Sequence, residues 1–123
     1  MLIPLGILAA TIGAVIRVGV AGYFGGGQND AGSAQTQVDK FAFPSDTRSS
    51  VSGGLSGSRR GPAGCANSGV AGYIGGGSSA AGTLRSIDKY AFPSDTRSTL
   101  SNIFVRDREN LSAAANWDAA GYF

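Results

Sequence analysis

The sequence predicts an all-β protein built from repeated units of about 50 residues, each with four short strands. Two observations lead to this prediction. The run from Asp39 to Ser49 returns as Asp88 to Ser98, and the only difference is Phe41 against Tyr90. The composition agrees, because 20 glycines and a charged fraction of 15% suit tight turns and packed strands better than exposed helices.

A glycine-rich block repeats with the same period. Gly19 to Gly27 returns as Gly69 to Gly77, and a third copy starts at Ala120. From Asp39 onward the two copies align at a spacing of 49 residues, which pairs Arg59 with Arg108. Apolar positions are kept while loop positions vary, as a repeated packing unit requires. The predicted divisions are an apolar N-terminal arm (1–18), repeat one (19–68), repeat two (69–117) and the start of a third repeat (118–123).

The chain begins with an apolar stretch, residues 1–16, which Arg17 ends. It is short for a membrane-spanning helix, which needs about 20 apolar residues. A signal peptide begins with positive charge, and none precedes Leu2. The favoured interpretation is an arm that buries itself against a partner or a neighbouring subunit, and a signal or membrane anchor is the alternative.

Strands are predicted in repeat one at residues 20–24, 38–43, 47–51 and 62–67, with a polar loop at 28–36. Side chains alternate between the faces of a strand, so Asp39, Phe41 and Phe43 share one face and Val38 lies on the other. Phe43 and its copy Phe92 are expected to be matching aromatic residues of the core.

Turn residues separate these strands. Phe43-Pro44-Ser45-Asp46 is predicted to be a turn with proline at its first central position, and the same turn recurs at 92–95. Gly25 and Gly75 are predicted to end their strands with a positive φ, which glycine adopts without a steric cost.

The repeat resembles the kelch repeat of β-propellers. Tyr23-Phe24-Gly25-Gly26 and Tyr73-Ile74-Gly75-Gly76 look like the kelch strand that ends in Gly-Gly. The runs Asp39 to Pro44 and Asp88 to Pro93 look like the strand that follows it. The resemblance implies four-stranded blades, of which propellers usually have four to eight.

Three further positions qualify this resemblance. Kelch repeats often carry an arginine before the first strand, where this sequence has Arg59 or Arg60 and then Arg108. The tryptophan usual after the turn is absent, because Val51 and Leu100 stand near that position. Trp117 is not its equivalent.

The amino-acid sequence of the repeat also resembles that of repeat proteins of tailed phages, especially those of marine cyanobacteria. The similar parts are the aromatic-Gly-Gly-Gly block, the Asp-Lys-aromatic-Ala-Phe-Pro-Ser-Asp-Thr run and the segment from Arg60 to Cys65. The start, Ile3 to Ala10, is similar to the N-termini of phage structural proteins. The resemblance implies a protein of the virion, such as a fibre, decoration or tail protein.

Four carboxylates are the candidates for chemistry. Asp46 and Asp95 could be catalytic groups or cation ligands, but each stands in a turn where aspartate commonly hydrogen-bonds nearby backbone. Asp39 and Asp88 are expected to pair with arginines of the next strand, Arg48 and Arg97, or to satisfy amides at strand ends. A structural role is favoured for all four.

The remaining residues predict no cofactor, no metal site and no enzyme. The chain has no histidine, the commonest general base and metal ligand. Gly25-Gly26-Gly27 is not a phosphate loop, because no Lys-Ser/Thr follows it. Cys65 is expected to be a small buried strand residue, since its copy is Ala114. The basic pair Arg59-Arg60 is too small a cluster for nucleic-acid binding.

The sequence therefore predicts a non-enzymatic virion protein with a role in host attachment or glycan binding. Its expected partners are other virion proteins, bound through residues 1–18, further copies of itself and a host-surface glycan. The alternative is a secreted or membrane-tethered kelch-like binding protein of a cell. A propeller enzyme such as a sugar oxidase is a third hypothesis, which the sequence favours less. About two repeats cannot close a propeller, so the propeller is incomplete or is completed by oligomerisation.

Overall fold

The computed structural model describes residues 21–116 and 119–123. Within these ranges the protein is all-β, and its strands form several small antiparallel sheets. The apolar arm predicted at 1–18 and Trp117 lie outside the described residues. In the described part of the chain, no helix is long and apolar enough to cross a membrane.

Two sheets and a hairpin form the main body. Sheet one has the strand order β1 (Ala21–Gly25), β2 (Val38–Ala42) and β3 (Thr47–Ser50). Sheet two has the order β4 (Ala63–Asn67), β5 (Ala71–Gly75), β8 (Ile87–Ala91) and β9 (Thr96–Thr99). The C-terminal hairpin joins β10 (Ala114–Asn116) to β11 (Ala120–Tyr122), and a short hairpin, β6 (Ser78–Ser79) and β7 (Gly82–Thr83), lies between β5 and β8.

The sequence repeat is also a repeat of structure. Gly25 pairs with Val38 between β1 and β2, and Gly75 pairs with Ile87 between β5 and β8. Hydrogen bonds outside the strands repeat as well: the amides of Gly27 and Gly77 each donate, at 2.9 Å, to the carbonyl of the matching Arg59 or Arg108. Each sheet is an open meander, and no sheet closes on itself in the described residues.

The strand predicted at 62–67 forms as β4, but it pairs with β5 and not with sheet one. A tight turn between β4 and β5 explains this pairing. The Val70 amide donates to the Asn67 carbonyl at 3.0 Å, so the chain reverses direction directly after β4. The structural unit therefore begins near β4, ahead of the boundary at residue 69 drawn from the sequence. The second polar loop also differs from the prediction, since it contains the β6–β7 hairpin.

The core lies between the two sheets. Val38, Val51 and Leu55 belong to sheet one and the loop after it. They pack against two residues of sheet two, Ile74 and the 2%-exposed Tyr90. The predicted alternation is confirmed, because the face of β2 that carries Val38 meets the face of β8 that carries Tyr90. Sheets one and two thus each bury one apolar face against the other.

The positive-φ prediction for Gly25 and Gly75 is wrong. The positive φ comes one residue later, at Gly26 (72°) and Gly76 (68°), since Gly25 and Gly75 still pair in their strands. Close packing is what requires glycine at both positions. A Cβ on Gly25 would overlap Cδ1 of Ile74, and one on Gly75 would lie 2.8 Å from Cζ of Phe104.

Phe43 and Phe92 are not matching core residues, and the prediction for Phe43 is wrong. Phe43 is 50% exposed, whereas Phe92 is half-buried because its ring stacks on Tyr23 of sheet one at 5.2 Å between centroids. No described residue covers Phe43 in the same way. The buried aromatic residue of the core is Tyr90, whose hydroxyl donates to the Gly54 carbonyl at 2.6 Å.

We expect Gly25→Ala to destabilise the fold by about 1–3 kcal/mol, because the new methyl group overpacks the junction. Ile74→Val removes the overlapping Cδ1 atom, so the same glycine change should cost less in that background. Chemical denaturation of the four proteins measures both effects. Gly57→Ala is the control, since a Cβ there meets nothing within 4 Å. An equal loss at Gly57, or no relief by Ile74→Val, contradicts the packing explanation.

Candidate functional site

Polar side chains concentrate at the junction between sheet one and sheet two. Arg59, in the loop after β3, is fully buried, and so is Asp88 in β8. Arg59 Nη2 lies 3.4 Å from Asp88 Oδ2. The backbone fixes the position of Arg59, because its amide donates to the Gln35 carbonyl and its carbonyl accepts from the Gly27 amide.

The Arg59 guanidinium binds several groups of sheet two besides Asp88. Nη1 donates to the carbonyls of Gly76 and Ser86, each at 3.1 Å, and Nη2 donates to Ser86 Oγ at 3.0 Å. Burial lowers the pKa of Arg59 from its usual value, and the charge of Asp88 opposes that shift. Because a buried guanidinium needs a carboxylate and satisfied donors, the junction holds this side chain in one arrangement.

Asp88 receives hydrogen bonds from both sheets. Its Oδ2 accepts from the Ser56 amide and hydroxyl, both at 2.9 Å, and its Oδ1 accepts from the Thr99 hydroxyl at 2.8 Å. The predicted pairing with Arg97 is confirmed, although at 3.7 Å it is the longest of these contacts. The main partner, Arg59, was not predicted.

Asp39, the copy of Asp88 in sheet one, has a different environment. It pairs with Arg48 at 3.0 Å, as predicted, but both side chains are partly open to solvent. The hydrogen bond from Gln37 lowers the pKa of Asp39, and the charge of Arg48 adds to the effect. No buried arginine from another unit reaches Asp39 among the described residues.

A second polar contact crosses the same junction. The Tyr23 hydroxyl and Lys40 Nζ each donate to the Asp95 carboxylate at 2.7 Å. Lys40 also lies over the Tyr23 ring, 5.5 Å from its centroid. Asp95 was predicted to bind nearby backbone, but its turn, with φ of 56°, carries the carboxylate to the neighbouring sheet. Aspartate tolerates this left-handed backbone better than most residues.

Burial in the junction shifts the pKa values of its tyrosines. Burial raises the pKa of Tyr23, and the hydrogen bond to Asp95 raises it further. Burial likewise raises the pKa of Tyr90 to about 12, with the negative charge of Asp88 as the second cause. The hydrogen bond to Asp95 raises the pKa of Lys40, so its ammonium form is favoured.

The same groups recur further along the chain without these partners. Lys89 lies over the Tyr73 ring at 5.9 Å, as Lys40 does over Tyr23. No carboxylate contacts Lys89 or Tyr73 in the described residues. Asp46 has the same backbone conformation as Asp95, with φ of 54°, and its carboxylate has no hydrogen bond in that part of the chain.

The other sequence candidates have structural surroundings. Cys65 lies on β4 as predicted and is half-buried, and burial raises the pKa of its thiol. The amides of Gly26 and Gly27 already donate to the carbonyls of Gln37 and Arg59, which leaves them engaged within the fold. In residues 21–116 and 119–123, no group of three acidic or cysteine side chains is placed to hold a metal ion.

Sequence reasoning assigned the carboxylates but missed Arg59 as their partner. A usable signal was present, since Arg59 and Arg108 recur at the repeat spacing among positions that otherwise keep their apolar character. The pairing itself was not visible, because it joins the loop of one unit to a strand of the next.

A search against protein-family models finds no family that matches the chain. A search of curated protein sequences finds no match either.

We expect Asp88→Asn to destabilise the fold by about 3–5 kcal/mol, because it leaves the Arg59 guanidinium buried without a carboxylate. Thermal and urea denaturation at neutral pH measure the loss. Asp39→Asn is the matched control at the equivalent strand position, and it should change stability little because water screens its pair with Arg48. Equal losses in the two variants would contradict the central role of the buried pair.

Proposed function

We propose that this chain is a non-enzymatic structural protein of a tailed-phage virion, in a fibre, decoration or tail position. One observation carries the proposal: the charged side chains of the repeat hold one unit against the next. Arg59 binds Asp88, and Lys40 binds Asp95, so the best-matched motif of the sequence is used for packing between units. That is what an assembling repeat protein needs.

The proposed finer fold is a kelch-like one. Sheet two is a four-stranded antiparallel meander, as a propeller blade would be, and sheet one packs against it face to face. Sheet one and the C-terminal hairpin would then be the flanking blades. In this proposal further units, supplied by other copies, complete the propeller.

The proposal includes an attachment role. The loop at residues 28–33 is exposed, and so are residues 80–83 of the loop that carries the β6–β7 hairpin. These loops would contact a host-surface glycan or a neighbouring virion protein. Residues 1–18 would dock the chain onto other virion proteins, which agrees with their apolar composition.

We expect the protein to co-purify with intact phage particles and to retain an N-terminal peptide that starts at Met1 or Leu2. Gradient-purified particles and the soluble, secreted and membrane fractions of the same culture are compared by mass spectrometry. A host outer-surface protein serves as the control for contamination of the particles. Recovery in the secreted or membrane fraction alone, with a new N-terminus between Gly13 and Gly19, would contradict the proposal and favour a cellular binding protein.

A further inference from the structure

A cavity of about 230 Å³ lies between sheet two and the C-terminal hairpin. Tyr73 and Cys65 line it on the side of sheet two, and Ala119 and Gly121 line it on the side of the hairpin. An apolar cavity of about 150 Å³ is enough to hold a benzene ring. The volume of this cavity is therefore large enough for an aromatic ring, although Asn67 and Asn116 make part of its lining polar.

The junction between the two sheets shows what fills the equivalent position. There the Phe92 ring stacks on Tyr23, and Cζ of Phe92 lies 3.3 Å from where a Cβ on Gly72 would be. The Phe92 amide also donates to the Val70 carbonyl at 2.8 Å. Phe92 thus contacts Tyr23, Gly72 and Val70, and the copies of these residues, Tyr73, Gly121 and Ala119, line the cavity.

The polar half of that junction recurs beside the cavity. Tyr23 and Lys40 bind the Asp95 carboxylate, and their copies Tyr73 and Lys89 keep the same lysine-over-ring arrangement. The cavity therefore lies where the aromatic residue of such a turn would be placed, and Tyr73 and Lys89 beside it match the groups that bind the aspartate three positions later.

The chain itself carries such a turn, at residues 43–46, and no other sheet among the described residues packs against it. Phe43 is 50% exposed, and Asp46 adopts the conformation of Asp95. The face behind this turn is apolar: Phe24 is 68% exposed, and its ring packs edge-on against Phe41 at 5.6 Å between centroids. On that face lies Asp39, the copy of the carboxylate that binds Arg59.

We propose that sheet one of a second copy of this chain stacks on sheet two of the first and repeats the junction seen between the two sheets. The Phe43 ring would then stack on Tyr73, and the Asp46 carboxylate would bind the Tyr73 hydroxyl and Lys89 Nζ. Asp39 would approach Arg108, the copy of Arg59. Asp46 and Asp39 would face Lys89 and Arg108, so opposite charges meet and favour this orientation. Arg48, which pairs with Asp39, lies on the acidic side of the contact.

Binding of the second copy requires that strand β11 be displaced. In an exact repeat of the junction, β1 of the second copy takes the place of β11 beside β10. Both strands carry the residues Ala-Gly-Tyr-Phe, at 21–24 and 120–123, so β1 can reproduce the contacts of β11. The three residues of β11 are exposed, but Phe123 after it packs on Phe104 at 5.2 Å between centroids and its carbonyl accepts from Arg108. Phe24 of the second copy would have to replace these contacts. The contact is head-to-tail, and such contacts form rings or filaments.

The inference rests on the proposed finer fold, in which other copies complete the propeller, and it names the surfaces that meet. It is tested on the full-length protein by sedimentation velocity between about 1 and 100 µM, where wild type should show concentration-dependent association. Asp46→Lys and Lys89→Asp should each weaken association by at least about tenfold. The double variant, or an equimolar mixture of the two single variants, should restore it, because opposite charges meet again.

Two charge-matched controls accompany these variants. Asp30→Lys and Arg106→Asp change exposed residues outside both surfaces and should associate as wild type does. Circular dichroism and melting curves establish that every variant is folded. A wild-type protein that stays monomeric overturns the inference, as does normal association of Asp46→Lys or a double variant that fails to recover. The particle analysis above is independent, so failure of self-association and failure of the proposed function are distinguishable.

Discussion

The fold depends on a guanidinium that is buried where two sheets meet. Arg59 comes from the loop after sheet one, and its donors bind the Asp88 carboxylate and the carbonyls of Gly76 and Ser86 in sheet two. Replacing Asp88 while the sheets stay packed would leave the Arg59 charge buried without its carboxylate, at a cost of several kcal/mol. Neither sheet supplies this environment alone, so the guanidinium is paired only where the two sheets meet.

The irregular loop that carries Arg59 therefore contributes to the packing of the two sheets as much as the strands do. It also places Leu55 in the core and brings the Ser56 amide to Asp88. Its path is fixed by backbone hydrogen bonds, since the Leu55 amide donates to the Thr36 carbonyl at 2.7 Å and the Arg59 amide to the Gln35 carbonyl at 3.0 Å. The loop at the end of one repeat unit therefore forms a surface that is complementary to the sheet of the next unit. In the described part of the chain, no further sheet packs on the surface beside Phe43, and the β10–β11 hairpin packs beside Tyr73.

The strands, their order and the alternation of faces could be predicted, because the repeat places apolar, glycine and turn residues at matching positions. What depends on contacts between units could not. Identical residues have different burial: Asp39 is open where Asp88 is buried, and Phe43 is half-exposed where Phe92 stacks on Tyr23. The requirement for glycine at Gly25 comes from Ile74 of the neighbouring sheet and not from its own φ. A sequence that repeats almost identically cannot by itself indicate which copy has a neighbour.

The central claim is that sheet one and sheet two are one cooperative unit, held together by the junction. Native-state hydrogen exchange tests it most directly, because it gives a free energy of opening for each amide. The account predicts the same value for the central strands β2, β5 and β8, and an equal decrease in all three when Asp88 is replaced by asparagine. A lower value in β2 alone, unchanged in that variant, would show that the sheets fold independently and would contradict the account.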